Sequence, residues 1–347
     1  MAKLTREHDC LLLDLDGTLY RGQQVTECAV QSLDDSPSRK LFITNNASRT
    51  PEDVAAHLRD LGFTADGDDV ATAAQSAARL LAELLPSGSR VLVVGAPALA
   101  DEVVAAGLRP VSQFHDDPVA VVQGLSFDTN WSDLAEATLA IRDGAVWVAA
   151  NLDRTIPTER GLVPCNGSMV AALQAATEAE PQVAGKPAPT MIIDAANRAD
   201  CRAPLVVGDR VDTDIAGANA AGLPSMLVLS GANTVLNMLQ AETGLRPTYV
   251  GHDLRSLHED RDLLAIGPQS AWDVEIFDSG ATVFATGKHQ FDDGLSVVRA
   301  VASAVWDANF DGQSFTIGAG DNDASEALNR WSLISEDSEV GRVELVG

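Results

Sequence analysis

Carboxylates placed at the end of an apolar strand can attack an electrophile, hold a cation or move a proton. This chain presents two of them at its first strand. In Cys10-Leu11-Leu12-Leu13-Asp14-Leu15-Asp16-Gly17 a short apolar run ends in Asp14 and Asp16. Strand side chains alternate between faces, so both acids project to one side, and Gly17 permits a tight turn at the exit. Comparable polar groups follow apolar strands or open helices at three later places: Thr44-Asn45-Asn46, Lys186 within Gly185-Lys186-Pro187, and Asp209 with Asp214. Taken singly, these are a turn, a helix lead-in and an acidic helix cap. Taken together, their chemistry is complementary. Asp14 and Asp209 offer the hard oxygen ligands that Mg²⁺ prefers. The Asp14 carboxylate can attack phosphorus and form an aspartyl phosphate. Asp16 can give a proton to a leaving alcohol and later take one from water. Thr44 and Asn45, with neighbouring backbone N–H groups, can hold phosphoryl oxygens. Lys186 adds a compact positive charge among the acids.

The elements that must position these groups alternate strand and helix. Apolar runs at residues 10–13, 40–43 and 204–208 read as buried parallel strands, and residues 25–33, 51–61 and 70–85 carry helical patterning. Pro51 suits a helical first turn and Gly62 ends that helix. The alternation predicts α/β architecture, a doubly wound parallel sheet whose strand ends gather the polar groups along one edge. Pro86-Ser87-Gly88-Ser89 marks a boundary. Beyond it, strands at 90–95, 120–124 and 145–150 interleave with helices at 97–106 and 131–142, and Ser168 is placed to cap a helix over 168–180. A helix over 188–198, strands at 225–229 and 249–250 and a helix over 214–221 complete the first block. From about Gly267 the pattern changes to alternating strands at 272–277 and 281–285, an amphipathic helix over 295–309, a strand at 314–317, a helix over 323–331 and a closing strand at 340–346. The expected domains are a discontinuous core over 1–85 and 182–262, an α/β cap over 86–181 and a small α+β C-terminal lobe over 263–347. No candidate catalytic group lies beyond Asp214, so the chemistry is expected to survive in a chain ending near Leu264 if that chain stays soluble. Lower stability is expected there, because the hairpin and helix are expected to bury an apolar face on the core.

At 347 residues and 46% apolar composition the chain can bury more than one core. Its net charge of −26 opposes binding to nucleic acid or to anionic membrane surfaces. Only Lys3, Lys40, Lys186 and Lys288 are lysines, so a small anionic substrate needs locally placed positive charge. No apolar run is long enough to span a bilayer, and residues 1–9 lack an apolar signal core, which gives a cytoplasmic expectation. The four cysteines lack Cys-x-x-Cys spacing and are expected to be reduced thiols. The partner expected is a small-molecule phosphate ester, with no nucleic acid and no membrane, and homo-oligomerisation is compatible with the sequence.

The set Asp14-Leu15-Asp16-Gly17-Thr18-Leu19-Tyr20-Arg21-Gly22, Thr44-Asn45-Asn46-Ala47-Ser48, Gly185-Lys186-Pro187 and Gly208-Asp209-Arg210-Val211-Asp212-Thr213-Asp214-Ile215 resembles the haloacid-dehalogenase superfamily. More narrowly, it resembles the phosphatases with a large α/β cap between the second and third motifs. The resemblance spans roughly residues 8–258. It implies Asp14 as nucleophile, Asp16 as acid and base, and Mg²⁺ held by Asp14, the Asp16 main-chain carbonyl and Asp209, with Asp214 in the outer shell. Thr44, Asn45 and Lys186 would hold the phosphate. The second acid, Asp16, distinguishes the chain from the metal-independent dehalogenases. Residues 149–153 and 164–168 also resemble this subgroup's cap, with Cys165 where such caps usually carry glycine. The terminal lobe resembles an N-acetyltransferase (GNAT) fold, yet Gly318-Ala319-Gly320-Asp321 is too short and too acidic for a pyrophosphate loop, which implies a structural or regulatory role. In the loop Asn151-Leu152-Asp153, Asn151 and Asp153 can hydrogen-bond hydroxyls, and Asp153 would repel a second anionic group. That favours a neutral polyol phosphate such as glycerol 3-phosphate. The alternatives are phosphoglycolate, pyridoxal phosphate or a nucleotide monophosphate, or a ligand sensor with a vestigial phosphatase core.

Overall fold

In the computed structural model, which describes residues 3–158, 160–288, 293–310, 315–334 and 342–345, the chain folds as two compact units. The first comprises residues 1–21, 25–39 and 202–347, and the second residues 22–24 and 40–201.

The first unit is built on parallel strands in the order Tyr249–Gly251, Ser225–Val228, Pro204–Gly208, Cys10–Leu13. All four residues of Cys10–Leu13 are buried, as are all five of Pro204–Gly208. Continuous apolar runs of this kind are what a strand covered on both faces requires. In register, Leu13 lies opposite Val207, so Asp14 and Asp209 leave the sheet at neighbouring strand ends. Asp214 sits in a single π-turn, Val211–Ile215, that leads into the short helix Ala216–Ala220. The uniform helix expected over 214–221 is therefore two pieces. A five-residue helix at Val235–Leu239 had no counterpart in the sequence reading.

The same unit carries the C-terminal sheet, with strands Trp272–Phe277, Gly280–Ala285, Phe315–Ala319 and Arg342–Leu345 in that order. The first pair and the last pair are antiparallel and the middle pair parallel. Helix Ser296–Asp307 is buried along Val297, Val298, Val301, Ala302 and Val305. Of the strand expected at 314–317, Ser314 lies outside the described residues; of the strand expected at 340–346, residues 340, 341 and 346 do. One apolar cluster joins this lobe to Val211, Ile215, Leu227, Val235, Met238, Leu239 and Val250.

The second unit contains a five-stranded parallel sheet in the order Gln182–Val183, Val146–Ala149, Ala120–Gln123, Arg90–Val94, Arg109–Val111. Strand Arg39–Thr44 pairs in parallel with Val70–Thr72. The helix expected over 70–85 thus begins at Ala73: β-branched Val70 and Thr72 suit a strand, and Thr72 then caps the helix Ala73–Leu84 through Gln75. Helices Pro51–Asp60 and Trp131–Arg142 likewise start with side-chain caps, Thr50 with Asp53 and Asn130 with Asp133. Helix Ala73–Leu84 buries Ala73, Ala74, Ala77 and Leu81 in a cluster with Val91, Val122 and Val148. A hairpin, Thr155–Thr158 with Gly161–Pro164, follows the loop at Asn151. Cys10 and Cys201 are disulfide-bonded, whereas Cys28 and Cys165 are free thiols, so the expectation of four reduced cysteines is corrected. Among the described residues no helix is long and apolar enough to cross a membrane.

Candidate active site

The polar groups singled out by the sequence fall into both units. In the first unit, Asp14 continues the strand ladder, its N–H donating to the Val207 carbonyl at 2.9 Å. The chain then turns sharply: the Leu15 carbonyl accepts from Leu19 N at 2.9 Å and Gly17 N donates to the Tyr20 carbonyl at 2.8 Å. Gly17 has φ +96°, and a Cβ there would lie 2.4 Å from Asp209 Oδ2. Both backbone conformation and close approach demand glycine. Carboxylate oxygens of Asp14, Asp209 and Asp214 lie within 4.8 Å of one another. Asp14 is half-buried, and Asp209 and Asp214 are buried. Three crowded carboxylates, two of them out of water, are costly unless a cation balances them, and an all-oxygen donor set suits a small hard ion. The Asp16 carboxylate is exposed and lies outside this trio.

Residues without a chemical signature in the sequence complete this half. Thr18, wholly buried, places its hydroxyl 3.5 Å from both Asp14 Oδ2 and Asp209 Oδ1. Ala232 N donates to Asp209 Oδ2 at 2.6 Å and Ser230 Oγ to the Gly17 carbonyl at 3.1 Å. The only signal available for Thr18 was its place in the Asp-x-Asp-Gly-Thr string. The loop at 230–233 has no signature of its own. Asp214 Oδ2 accepts from Arg210 N at 3.1 Å, which fixes the turn. Arg210 grips Asp212 with two bonds of 3.0 and 2.7 Å. Burial pushes the Asp212 carboxyl up, but the guanidinium outweighs it and holds the group below its usual value.

In the second unit, Thr44 is buried at the end of its strand and accepts from Asn46 N at 3.1 Å. Lys186, 2% exposed, donates from Nζ to the Ile43 carbonyl at 3.4 Å and from its N–H to Asn45 Oδ1 at 2.8 Å. It precedes Pro187 in a loop, and the following helix starts only at Thr190. Asn45 Nδ2 donates to the Lys186 carbonyl at 3.0 Å and to Asp153 Oδ2 at 3.3 Å. Asn151 is buried; its Nδ2 donates to the Asn45 carbonyl at 2.6 Å and its Oδ1 accepts from Asp153 N at 3.2 Å. The side chains of Asn45 and Asn151 therefore bond protein groups that place Lys186 and Asp153. Thr44, Asn45, Lys186, Asn151 and Asp153 converge, while the intervening Leu152 is exposed. Gly185 makes the approach possible, since a Cβ there would lie 2.5 Å from the Ala150 carbonyl. Helix Asn166–Thr177 begins two residues before the expected Ser168 cap, with Ser168 Oγ donating to the Arg154 carbonyl instead. Cys165, at φ −111°, occupies ordinary extended backbone, so glycine is not needed there, and burial pushes its thiol up.

Comparison with known proteins fits this geometry. A family model described as haloacid dehalogenase-like hydrolase matches residues 11–109, a HAD-hydrolase-like model residues 183–257, and a GCN5-related N-acetyltransferase like model residues 269–333. The chain is 60% identical to D-glycerol 3-phosphate phosphatase of Mycobacterium tuberculosis, covering 99% of each. It is 33% identical to the acid sugar phosphatase of Staphylococcus aureus over 72% of this chain and 96% of that one. The crystal structure of glycerol phosphate phosphatase from Mycobacterium tuberculosis in complex with magnesium superposes with a TM-score of 0.93 at 61% identity, covering 96% of this chain and all of the other.

Proposed function

The chain belongs to the haloacid dehalogenase-like hydrolase family, and from that membership we propose that it is a Mg²⁺-dependent phosphomonoesterase acting on glycerol 3-phosphate. The observation that carries this reading is the cluster of Asp14 and Asp209 at neighbouring strand ends with Asp214 from the π-turn that follows, and with Thr18 between the first two. These carboxylates would hold Mg²⁺, and family membership adds the Asp16 main-chain carbonyl as the further oxygen that would join them. When bound, the ion supplies the positive charge that lets an anionic nucleophile meet an anionic phosphate.

The remaining roles belong to the chain. Asp14 attacks phosphorus while the bond to the alcohol oxygen breaks, and Asp16 delivers its proton to that oxygen, releasing glycerol. Asp16, now ionised, takes a proton from the water that attacks the aspartyl phosphate, which frees inorganic phosphate and restores both side chains. Thr44, Lys186 and the backbone around Asn45 hold the phosphoryl oxygens. Asp153 meets the rest of the substrate, accepting from hydroxyls and repelling a second anionic group, and Asn151 keeps its loop in place. This selects a neutral polyol phosphate over phosphoglycolate. The strongly acidic chain is proposed to work in the cytoplasm on this small molecule, without nucleic acid or membrane.

The test is phosphate release from glycerol 3-phosphate and from phosphoglycolate, with Mg²⁺ and with EDTA. Activity abolished by EDTA, with the higher kcat/KM for glycerol 3-phosphate, is expected. A preference for phosphoglycolate, or a selectivity unchanged in Asp153→Ala, removes the loop from the specificity argument.

A further inference from the structure

We propose that the C-terminal lobe acts as a clamp on the loop that aims Asp209 at the metal, with Trp306 as its positioning residue. The proposal rests on the metal site described above and assigns the lobe a part in it.

The loop at 230–233 surrounds Asp209. Ala232 N donates to its Oδ2 at 2.6 Å and Asn233 N to its main-chain carbonyl at 3.3 Å, while Asn233 Oδ1 accepts from Val211 N at 2.9 Å. Gly231 packs so closely that a Cβ would lie 1.9 Å from Asp209 Oδ2. Arg21 adds a brace, donating to the carbonyls of Ser230 and Gly231. The orientation of the Asp209 carboxylate is therefore set by where this loop sits.

The loop runs directly into helix Val235–Leu239, capped by Thr234. Five residues cannot hold a helix by themselves. The exposed Asn237 borders an open cleft of about 540 Å³, so among the described residues no packing covers the helix there. Its buried face, Val235, Met238 and Leu239, joins the cluster that contains Val298, Val301 and Val305 of the lobe helix Ser296–Asp307. Trp306 fastens the exit: its indole N–H donates to the Leu239 carbonyl at 3.2 Å. The Arg246 guanidinium lies 5.3 Å from the Trp306 ring centroid and donates to the Trp306 carbonyl at 3.4 Å and the Ala241 carbonyl at 3.2 Å. An unbroken series of contacts thus leads from the lobe to a metal carboxylate. Partners that orient a ligand tune the affinity of the ion it holds.

The experiment is calorimetric titration of the full-length, substrate-free protein with Mg²⁺, with melting in EDTA as the folding control. Trp306→Ala is expected to weaken the Mg²⁺ Kd about tenfold, within the range that changes outside the ligand set produce. Trp306→Phe keeps a ring and loses the N–H, and is expected to weaken it about threefold, the share of one neutral hydrogen bond. Trp272 donates to Ser296 Oγ at 2.9 Å, at the other end of the same lobe helix. Trp272→Phe is therefore expected to lower the melting temperature and leave the Kd unchanged. A folded Trp306→Ala or Trp306→Phe protein with wild-type Kd overturns the clamp, as does an equal weakening in Trp272→Phe. If Asp209→Asn also binds Mg²⁺ as the wild type does, the metal-site reading itself fails and the clamp falls with it.

Discussion

Asp14 and Asp16 stand two residues apart with opposite surroundings, one half-buried among carboxylates and the other exposed. Asp14→Asn removes the attacking charge with little change of shape, and turnover should fall by several orders of magnitude. Asp16→Asn should spare nitrophenyl phosphate, whose leaving group needs no proton, far more than glycerol 3-phosphate. Steady-state kinetics on both esters checks the pair, and near-normal turnover in Asp14→Asn would sink the mechanism. Asn45 is expected to act through its neighbours. It makes three side-chain bonds, two to the Lys186 backbone and one to Asp153. At ~1 kcal/mol each, their loss in Asn45→Ala should cut kcat/KM for glycerol 3-phosphate about a hundredfold. Selectivity against phosphoglycolate should shrink with it, and an unchanged ratio would show that Asp153 does not depend on Asn45. The acids were legible because an apolar run followed by a turn announces a strand end. Thr18 and the burial of Asn151 were not. A threonine becomes part of a carboxylate site only when Asp209, 191 residues away, is folded beside it.

At the scale of elements, strands and long helices followed their patterns closely. Helix Trp131–Arg142 and strand Trp272–Phe277 have the boundaries that periodicity predicts. What stayed hidden is short and owes its existence to packing. Helix Val235–Leu239 has too few residues for a period, and the apolar pattern of Val70–Thr72 runs without a break into the helix behind it. The loop between Val228 and Val235 gave no signal, yet it fixes Asp209. Gly231→Ala would push a methyl group into a buried carboxylate, with Asp209 1% exposed and no room to retreat. The Mg²⁺ Kd should weaken at least about tenfold. Gly244→Ala, where a Cβ would meet nothing within 4 Å, is the matched control and should be neutral. Equal affinities in the two variants, measured by calorimetry, would show that the loop is free to move.

For the molecule as a whole, the sequence marks the start of the terminal lobe by a change in patterning near Gly267, and it predicts a lobe whose removal costs stability but spares the chemistry if the remainder stays soluble. Alternation predicts an apolar face laid on the core but not how many core side chains depend on it. The structure shows that the cover is shared. Val211, Ile215, Leu227, Val235, Met238, Leu239 and Val250 lie in one cluster with the buried face of helix Ser296–Asp307. Arg299, fully buried, adds a bond of 2.9 Å to the Val250 carbonyl while paired with Asp293 at 2.6 Å. Burial is worth roughly 1.5–3 kcal/mol per large aliphatic side chain, so uncovering these seven even by half costs roughly 5–10 kcal/mol. That matches the entire stability of an ordinary domain, about 5–15 kcal/mol. A chain ending at Leu264 keeps every residue assigned to catalysis, yet it should not fold cooperatively. It should bind a hydrophobic dye and elute as aggregate, with no Mg²⁺-dependent activity. A truncated protein that elutes as a monomer, melts in one sharp transition and hydrolyses glycerol 3-phosphate would show instead that the shared cluster is dispensable, and the clamp on Asp209 would fall with it.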